Sequence, residues 1–384
     1  MIRLLASFVL VGAVLGQGPV QGQDKIAFDK AAPVWTIPWD ADWVTAVAFL
    51  GETRRLAAGN KLGQILIFDI PDKTGGPFPP PLRRLDGHTN MISGLAASPD
   101  GRWLYSASYD HTVRVWDMQA PAKSKGSAVL KGEKVKKGAA TEKTELPVEI
   151  HEAQKILPHK EWVRSLSLSQ DGKQLLSGDD TGSSILWDVP AGTELRRWQV
   201  KGWLQAVALS PDGRDAVSCG STRYAEFLIN SIDLWDASTG KPKFNLGATL
   251  KRGTGINNIV AISAAAYSGD NKMLALGQAG EAGDFAKVFL FSADGKKLQE
   301  MNGHRGGVNA VAFHPDGQHL VSAGRDTTVR IWKIADGKAV ADIGKARGGQ
   351  FQDWIHSVSF TNDGLWLAAA DMAGQIQIWK LEKK

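Results

Sequence analysis

The chain is poor in the residues that build covalent or metal frameworks. Its single cysteine, Cys219, excludes an internal disulfide and any cysteine-based metal cluster. That leaves two readings of the thiol, buried in a strand or exposed. Tyrosine is scarce, with 4 residues against 14 tryptophans and 42 glycines. Neither sign of charge dominates, because 45 Lys and Arg face 40 Asp and Glu, a balance that argues against general nucleic-acid binding. Beyond the N-terminal run no apolar stretch of membrane length occurs, so no span is expected in the rest of the chain. HExxH, CxxC, an Asp-rich calcium loop and a phosphate-binding loop ending in Lys-Ser/Thr are all missing. The stretch GQAGEAGDF, 277 to 285, has glycines but no following Lys-Ser/Thr, and reads as a long turn. No metal and no cofactor is expected.

What is present is punctuation. Many glycines between short alternating apolar runs favour an all-β chain. The N-terminus, MIRLLASFVLVGAVLGQGPVQGQ, sets Arg3 before an apolar run from Leu4 to Leu15 and then small and polar residues. That is the layout of a secretory signal peptide, so residues 1–23 are expected to direct export, to a periplasm or the medium.

Internal repeats organise the remainder. LDGHTNMISGLAASPDGRWLYSASYDHTVRVWD, 85 to 117, aligns with MNGHRGGVNAVAFHPDGQHLVSAGRDTTVRIWK, 301 to 333. Twenty-eight residues separate His88 from Trp116, His159 from Trp187 and His304 from Trp332. The same frame fits four weaker copies, starting at Asp40, Val200, Asn258 and Phe351, which makes seven. Each copy holds three alternating runs and a fourth short one (PLRRL, AQKIL, ELRRW, KKLQEM) before the next copy begins. Period-two alternation marks half-buried strands, and Pro-Asp-Gly supplies the first turn.

With its Gly-His start and its Trp at the third strand, this pattern resembles the WD-repeat β-propeller family, here an exported, bacterial-type member. The resemblance covers residues 34–381. It implies an all-β, seven-bladed propeller of four-stranded antiparallel blades. The last copy stops at its third strand, QIQIWKL, so the N-terminal PVWTIPW, 33 to 39, is expected to close the ring. Two insertions differ in character. PDKTGGPFPPP is a Pro/Gly loop, whereas residues 119–152 hold a basic run with 7 Lys and 2 Glu between Lys123 and Lys143. The basic insertion reads as a solvated loop, with contact to an anionic surface as the alternative.

His88, Ser106 and Asp110 recur as His304, Ser322 and Asp326. A serine, a histidine and an aspartate invite a hydrolase reading. Yet the trio repeats at blade period beside Trp116 and Trp332, and an active site is rarely duplicated that way. The resemblance implies a buried hydrogen-bond network that builds the blade. The third copy keeps His159, Ser177 and Trp187, but has Thr181 in the aspartate place and Asp180 one residue early.

The resemblance also marks a face. The position three past each His holds Trp43, Met91, Trp162, Trp203, Ala261, Gly307 and Trp354. The position five past holds Thr45, Ser93, Arg164, Gln205, Ser263, Asn309 and His356, expected on the same rim. Tyr109 and Arg325 precede the turn aspartates, and the excursions STRYAEFLIN and GQAGEAGDF are expected to rise on this side. Trp with Arg, Tyr and His is the composition of binding hot spots. The expectation is therefore a non-enzymatic scaffold that binds a protein or peptide through Trp43, Trp162, Trp203, Trp354, Arg164, His356, Tyr109 and Arg325. A glycan-binding protein is the alternative, since aromatic platforms also stack on sugars. Glycan processing would need paired carboxylates, and Asp180 and Asp284 are the acidic candidates.

Overall fold

The structure, a computed structural model, describes residues 26–28, 31, 33–40, 43–131, 143–221, 230–250, 260–280, 285–343 and 353–382. Seven sheets, each with four antiparallel blade strands, follow one another around a central channel. Their innermost strands are Val44–Phe49, Ile92–Ala97, Val163–Leu168, Trp203–Leu209, Ile262–Tyr267, Val308–Phe313 and Ile355–Phe360, defining blades 1 to 7. The expected seven-bladed propeller is what the chain forms. The fourth short runs become outer strands, for example Pro81–Leu85 and Thr193–Gln199.

Burial explains why the inner strands are legible in sequence and the outer ones faint. The second strand of blade 2, Trp103–Ser108, is almost wholly buried because blades 1 and 3 cover its two faces. The outer strand Thr193–Gln199 is exposed apart from Trp198. Between blades the packing is apolar: Ala46, Ile65 and Leu85 of blade 1 meet Ile92, Leu104 and Trp116 of blade 2 in one buried cluster. Cys219 takes the first of its two readings, buried in the strand Asp215–Ser221 of blade 4.

Closure follows the expected route. Pro33–Pro38 pairs antiparallel with Gln375–Lys380 and supplies the fourth strand of blade 7. Trp35 stacks on Trp366 with ring centroids 6.0 Å apart.

The basic insertion departs from its expectation. Ser124–Lys131 and Lys143–His151 form an antiparallel hairpin, with residues 132–142 outside the described set. The second arm pairs parallel with Pro81–Leu85, so blade 1 grows to six strands. The first arm bridges Trp39 through Leu130. Ala128, Leu130, Val148 and Ile150 are buried in a cluster with Trp35, Ile37 and Trp39. What reads as a solvated loop is a clasp across the seam between blades 7 and 1. Its strands are hard to see in sequence because lysines and a proline dilute their alternation.

Candidate binding face at the channel mouth

Every blade starts its inner strand with the same irregularity. The ladder to the second strand slips between Val44 and Ala46, Ile92 and Gly94, Val163 and Ser165, and Leu204 and Ala206. It slips likewise between Ile262 and Ala264, Val308 and Ala310, and Ile355 and Ser357. The skipped residues are Thr45, Ser93, Arg164, Gln205, Ser263, Asn309 and His356. A bulge leaves its extra residue out of the ladder and re-aims the side chain. All seven line a central cavity of about 330 Å³.

These residues divide by chemistry. Thr45 Oγ1 donates to the Ile92 carbonyl (2.5 Å), Ser93 Oγ to Val163 (2.5 Å), Ser263 Oγ to Val308 (2.6 Å) and Asn309 Nδ2 to Ile355 (2.9 Å). Each acceptor is the residue just before the next blade's bulge, so four of the seven stitch blade to blade. Arg164 and His356 do something else.

Arg164 sits in an inter-blade assembly. Its Nε and Nη2 donate to the two carboxylate oxygens of Asp180, the second bond at 2.9 Å. Its Nη1 donates to the Tyr109 hydroxyl at 2.5 Å. Tyr109 stacks on Trp162 with centroids 5.0 Å apart and planes 4° from parallel. Burial lowers the Arg164 pKa, but Asp180 and Tyr109 together outweigh it and the net shift is upward. Burial also raises the Tyr109 pKa, keeping the phenol neutral.

None of the four rim tryptophans is among the residues that line the cavity. Trp162 and Trp203 are 42% and 44% exposed on adjacent blades. Trp43 and Trp354 are half-buried, each with a cation over the ring: Lys61 Nζ at 4.1 Å and Arg325 Cζ at 4.6 Å. Two pre-turn residues thus reach the tryptophan of the following blade, Tyr109 over Trp162 and Arg325 over Trp354. Residues 222–229 of the first excursion and 281–284 of the second, Asp284 among them, lie outside the described residues.

The repeated trio lies deeper. His88 Nδ1 is 2.7 Å from Asp110 Oδ2, His88 Nε2 is 2.7 Å from Ser106 Oγ, and Trp116 Nε1 donates to that oxygen at 2.8 Å. Blade 6 repeats this with His304, Asp326, Ser322 and Trp332 at 2.6–2.9 Å. Ser106 and Ser322 are fully buried, so neither hydroxyl faces a substrate. Burial opposes ionisation of Asp110 and Asp326, yet bonds from His88 and His304 hold both carboxyls below the usual range.

Blade 3 supplies the aspartate that its spacing leaves unplaced. The aspartate on His159 is Asp179, with Oδ2 3.0 Å from Nδ1, while Asp180 faces outward to Arg164. Ser177 Oγ then joins His159 at 2.8 Å and Trp187 at 2.7 Å. A signal was available. Asn60-Lys-Leu-Gly, Asp179-Asp-Thr-Gly and Asp371-Met-Ala-Gly share one spacing. In each the first side chain accepts backbone N–H groups of the turn.

The family described as WD domain, G-beta repeat, matches residues 79–117, 152–188, 295–333 and 347–380. The small ribosomal subunit protein RACK1y of Oryza sativa subsp. japonica is 31% identical over 302 residues, 78% of this chain and 80% of that protein. The nuclear distribution protein PAC1 of Arthroderma otae is 25% identical over 301 residues, 69% of this chain and 63% of that protein. These relatives are named for the small ribosomal subunit and for nuclear distribution, neither an exported setting. The expectation of a periplasmic or secreted protein is corrected on that ground. The N-terminal run that prompted it, residues 1–23, lies outside the described residues.

Proposed function

The chain belongs to the WD-repeat family, and from that premise we propose that it is a non-enzymatic scaffold holding a protein or peptide against the tryptophan-bearing rim of its channel. The observation that carries this reading is the pair Trp162 and Trp203, each more than two-fifths exposed on neighbouring blades of one face. Large apolar side chains left open in a cluster mark interaction surfaces, and tryptophan dominates hot spots. Tyr109 and Arg164 hold Trp162 in place, so little side-chain entropy is lost when a partner covers it. Trp43 and Trp354, under their cations, flank the same mouth.

The serine–histidine–aspartate sets do not compete as a reading, because each serine is buried and engaged by a tryptophan. Glycan binding is a second reading, favoured by the flat Tyr109–Trp162 stack. Asp180, bound by Arg164, is a poor candidate for glycan processing.

The test is proximity crosslinking of captured partners, comparing wild type with the Trp162→Ala/Trp203→Ala double variant. Loss of each anchor is expected to cost about 2 kcal/mol, so retention should fall by more than tenfold. Undiminished capture by a folded double variant overturns the rim. A glycan-array signal that depends on Trp162, with no protein capture, would favour the second reading.

A further inference from the structure

One of the seven bulge residues has no task within the ring. Four donate to the next blade's backbone, Arg164 is held by Asp180 and Tyr109, and His356 Nε2 is sealed by burial. Gln205 is left. It lines the cavity, half-buried, and its side-chain amide makes no hydrogen bond to the described residues. Nor is the amide walled in: unlike His356 Nε2, its atoms open on the cavity.

Gln205 follows Trp203 by two residues, and Trp162 stands at the start of the neighbouring inner strand. Ser165 Oγ accepts from the Val207 N–H at 3.2 Å, and Ser167 Oγ from the Leu209 N–H at 3.0 Å. These bonds hold the inner strands of blades 3 and 4 side by side, with Cα atoms within 8 Å of one another. The two exposed indoles are therefore one strand's step apart. The other two rim rings are covered by cations of this chain, Trp43 by Lys61 and Trp354 by Arg325. Tyr109 takes one face of Trp162, and the rest of that ring is open.

The free polar groups on these three side chains are mostly donors. The Nε1–H of Trp162 and of Trp203 and the Nε2 of Gln205 stand against one acceptor, Gln205 Oε1. Neither indole N–H is bonded to a described residue, and both carboxylate oxygens of Asp180 are taken by Arg164. A ligand that fits such a surface brings flat apolar rings, carbonyls that accept, and few N–H groups. Proline has the ring and lacks the N–H. In a polyproline II helix the carbonyls make no internal bonds, and residues three apart share one face, about 9 Å from each other. An extended strand repeats its face every two residues, about 6.7 Å, and its N–H groups would have Gln205 Oε1 alone to meet.

We infer that blades 3 and 4 receive a proline-rich segment in the polyproline II conformation. Prolines at i and i+3 lie on Trp162 and Trp203, and Gln205 Nε2 donates to a carbonyl of the segment. The inference rests on the rim reading and adds the partner's conformation. Such a helix is already formed before it docks, and Trp162 is already held by Tyr109, so neither side loses much freedom on contact.

The experiment uses three fluorescein-labelled dodecapeptides of equal length and charge. One has prolines at i and i+3, one has the same prolines at i and i+4, and one has alanine in their place. The full-length protein is titrated and anisotropy is read, with thermal unfolding as the folding control for each variant. The i, i+3 peptide is expected to bind about tenfold tighter than the alanine peptide, with the i, i+4 peptide between them. Trp162→Ala and Trp203→Ala should each abolish the difference. Gln205→Glu, which keeps the shape and replaces the donor by an acceptor, should reduce it about threefold. Equal binding of all three peptides, each lost in Trp162→Ala/Trp203→Ala, overturns the polyproline site and leaves the rim standing. A proline preference that survives the double variant overturns the placement at blades 3 and 4, and one unchanged in Gln205→Glu overturns the role of the amide. If no peptide binds, the inference fails, while partner capture by crosslinking still decides the rim.

Discussion

At the turn between the second and third strands, one backbone position governs how each blade closes. Gly63, His111, Gly182, Thr327 and Gly374 occupy equivalent places in blades 1, 2, 3, 6 and 7, and all have positive φ, between 59° and 83°. Where the residue is glycine, the side chain three places earlier serves as turn acceptor, as Asn60, Asp179 and Asp371 do. At Gly63 a Cβ would fall 2.7 Å from the His88 carbonyl, which glycine alone avoids. Where the residue is His111 or Thr327, the aspartate stands immediately before it instead. This is why spacing alone leaves the aspartate of blade 3 unplaced: the histidine network is satisfied from either of two positions, and the glycine selects which. It follows that Asp179→Ala, which strips His159 and the turn of their acceptor, should destabilise by about 2 kcal/mol. Asp180→Asn weakens a part-buried ion pair but leaves Arg164 its Tyr109 partner, and should cost less, about 1 kcal/mol. Urea midpoints of the two variants measure the difference, and equal midpoints would return the role to Asp180.

Among the elements, the hairpin made of Ser124–Lys131 and Lys143–His151 bears on how the ring closes. It joins the outer edge of blade 1 to Trp39, the residue following the closing strand. Trp39 is 2% exposed, and part of what covers it is hairpin. Lys143 also pairs with Asp40 at 2.6 Å. Replacing residues 124–150 by a short Gly/Ser linker should therefore loosen closure without removing any blade. The expected outcome is faster hydrogen exchange in Pro33–Pro38 and Gln375–Lys380, with blades 3 and 4 unchanged. Uniform exchange across all seven blades would mean that the hairpin does not clasp the seam. The parallel pairing to Pro81–Leu85 was not legible because a strand's partner is not written in its own alternation, and the apolar face here is only four residues deep.

The whole molecule should respond to acid in two stages. His88 and His356 have pKa values lowered from 6.5 in the fold, chiefly by burial. The unfolded chain takes up protons that these folded histidines refuse, so stability is full above about pH 6.5 and falls as pH drops toward the folded values. Asp110, Asp179 and Asp326 are held below their ordinary 3.8 by hydrogen bonds that outweigh burial, and their contribution is lost at pH lower still. Thermal midpoints from pH 8 to 3 should show a decline beginning near neutrality. His356→Gln should make the decline between about pH 6.5 and 4 shallower. A slope identical to wild type would mean that the ring is not held neutral in the channel.

The sequence by itself determined the number of blades, the residues that build the best-matched two, and the strand that closes the ring. These are properties of period and alternation, repeated often enough that each copy supports the others. It also placed the tryptophan slot. What it could not decide is which of the slot and bulge residues are occupied by the protein itself. Thr45, Ser93, Ser263 and Asn309 occupy the same repeat position as Arg164 and His356, yet they spend their polar groups on the neighbouring blade's backbone. The difference depends on contacts between blades, across tens of residues of sequence. A hydrogen bond to the next blade exists only once the ring has closed, so only the tertiary structure separates the residues that bond to a neighbouring blade's backbone from those that do not.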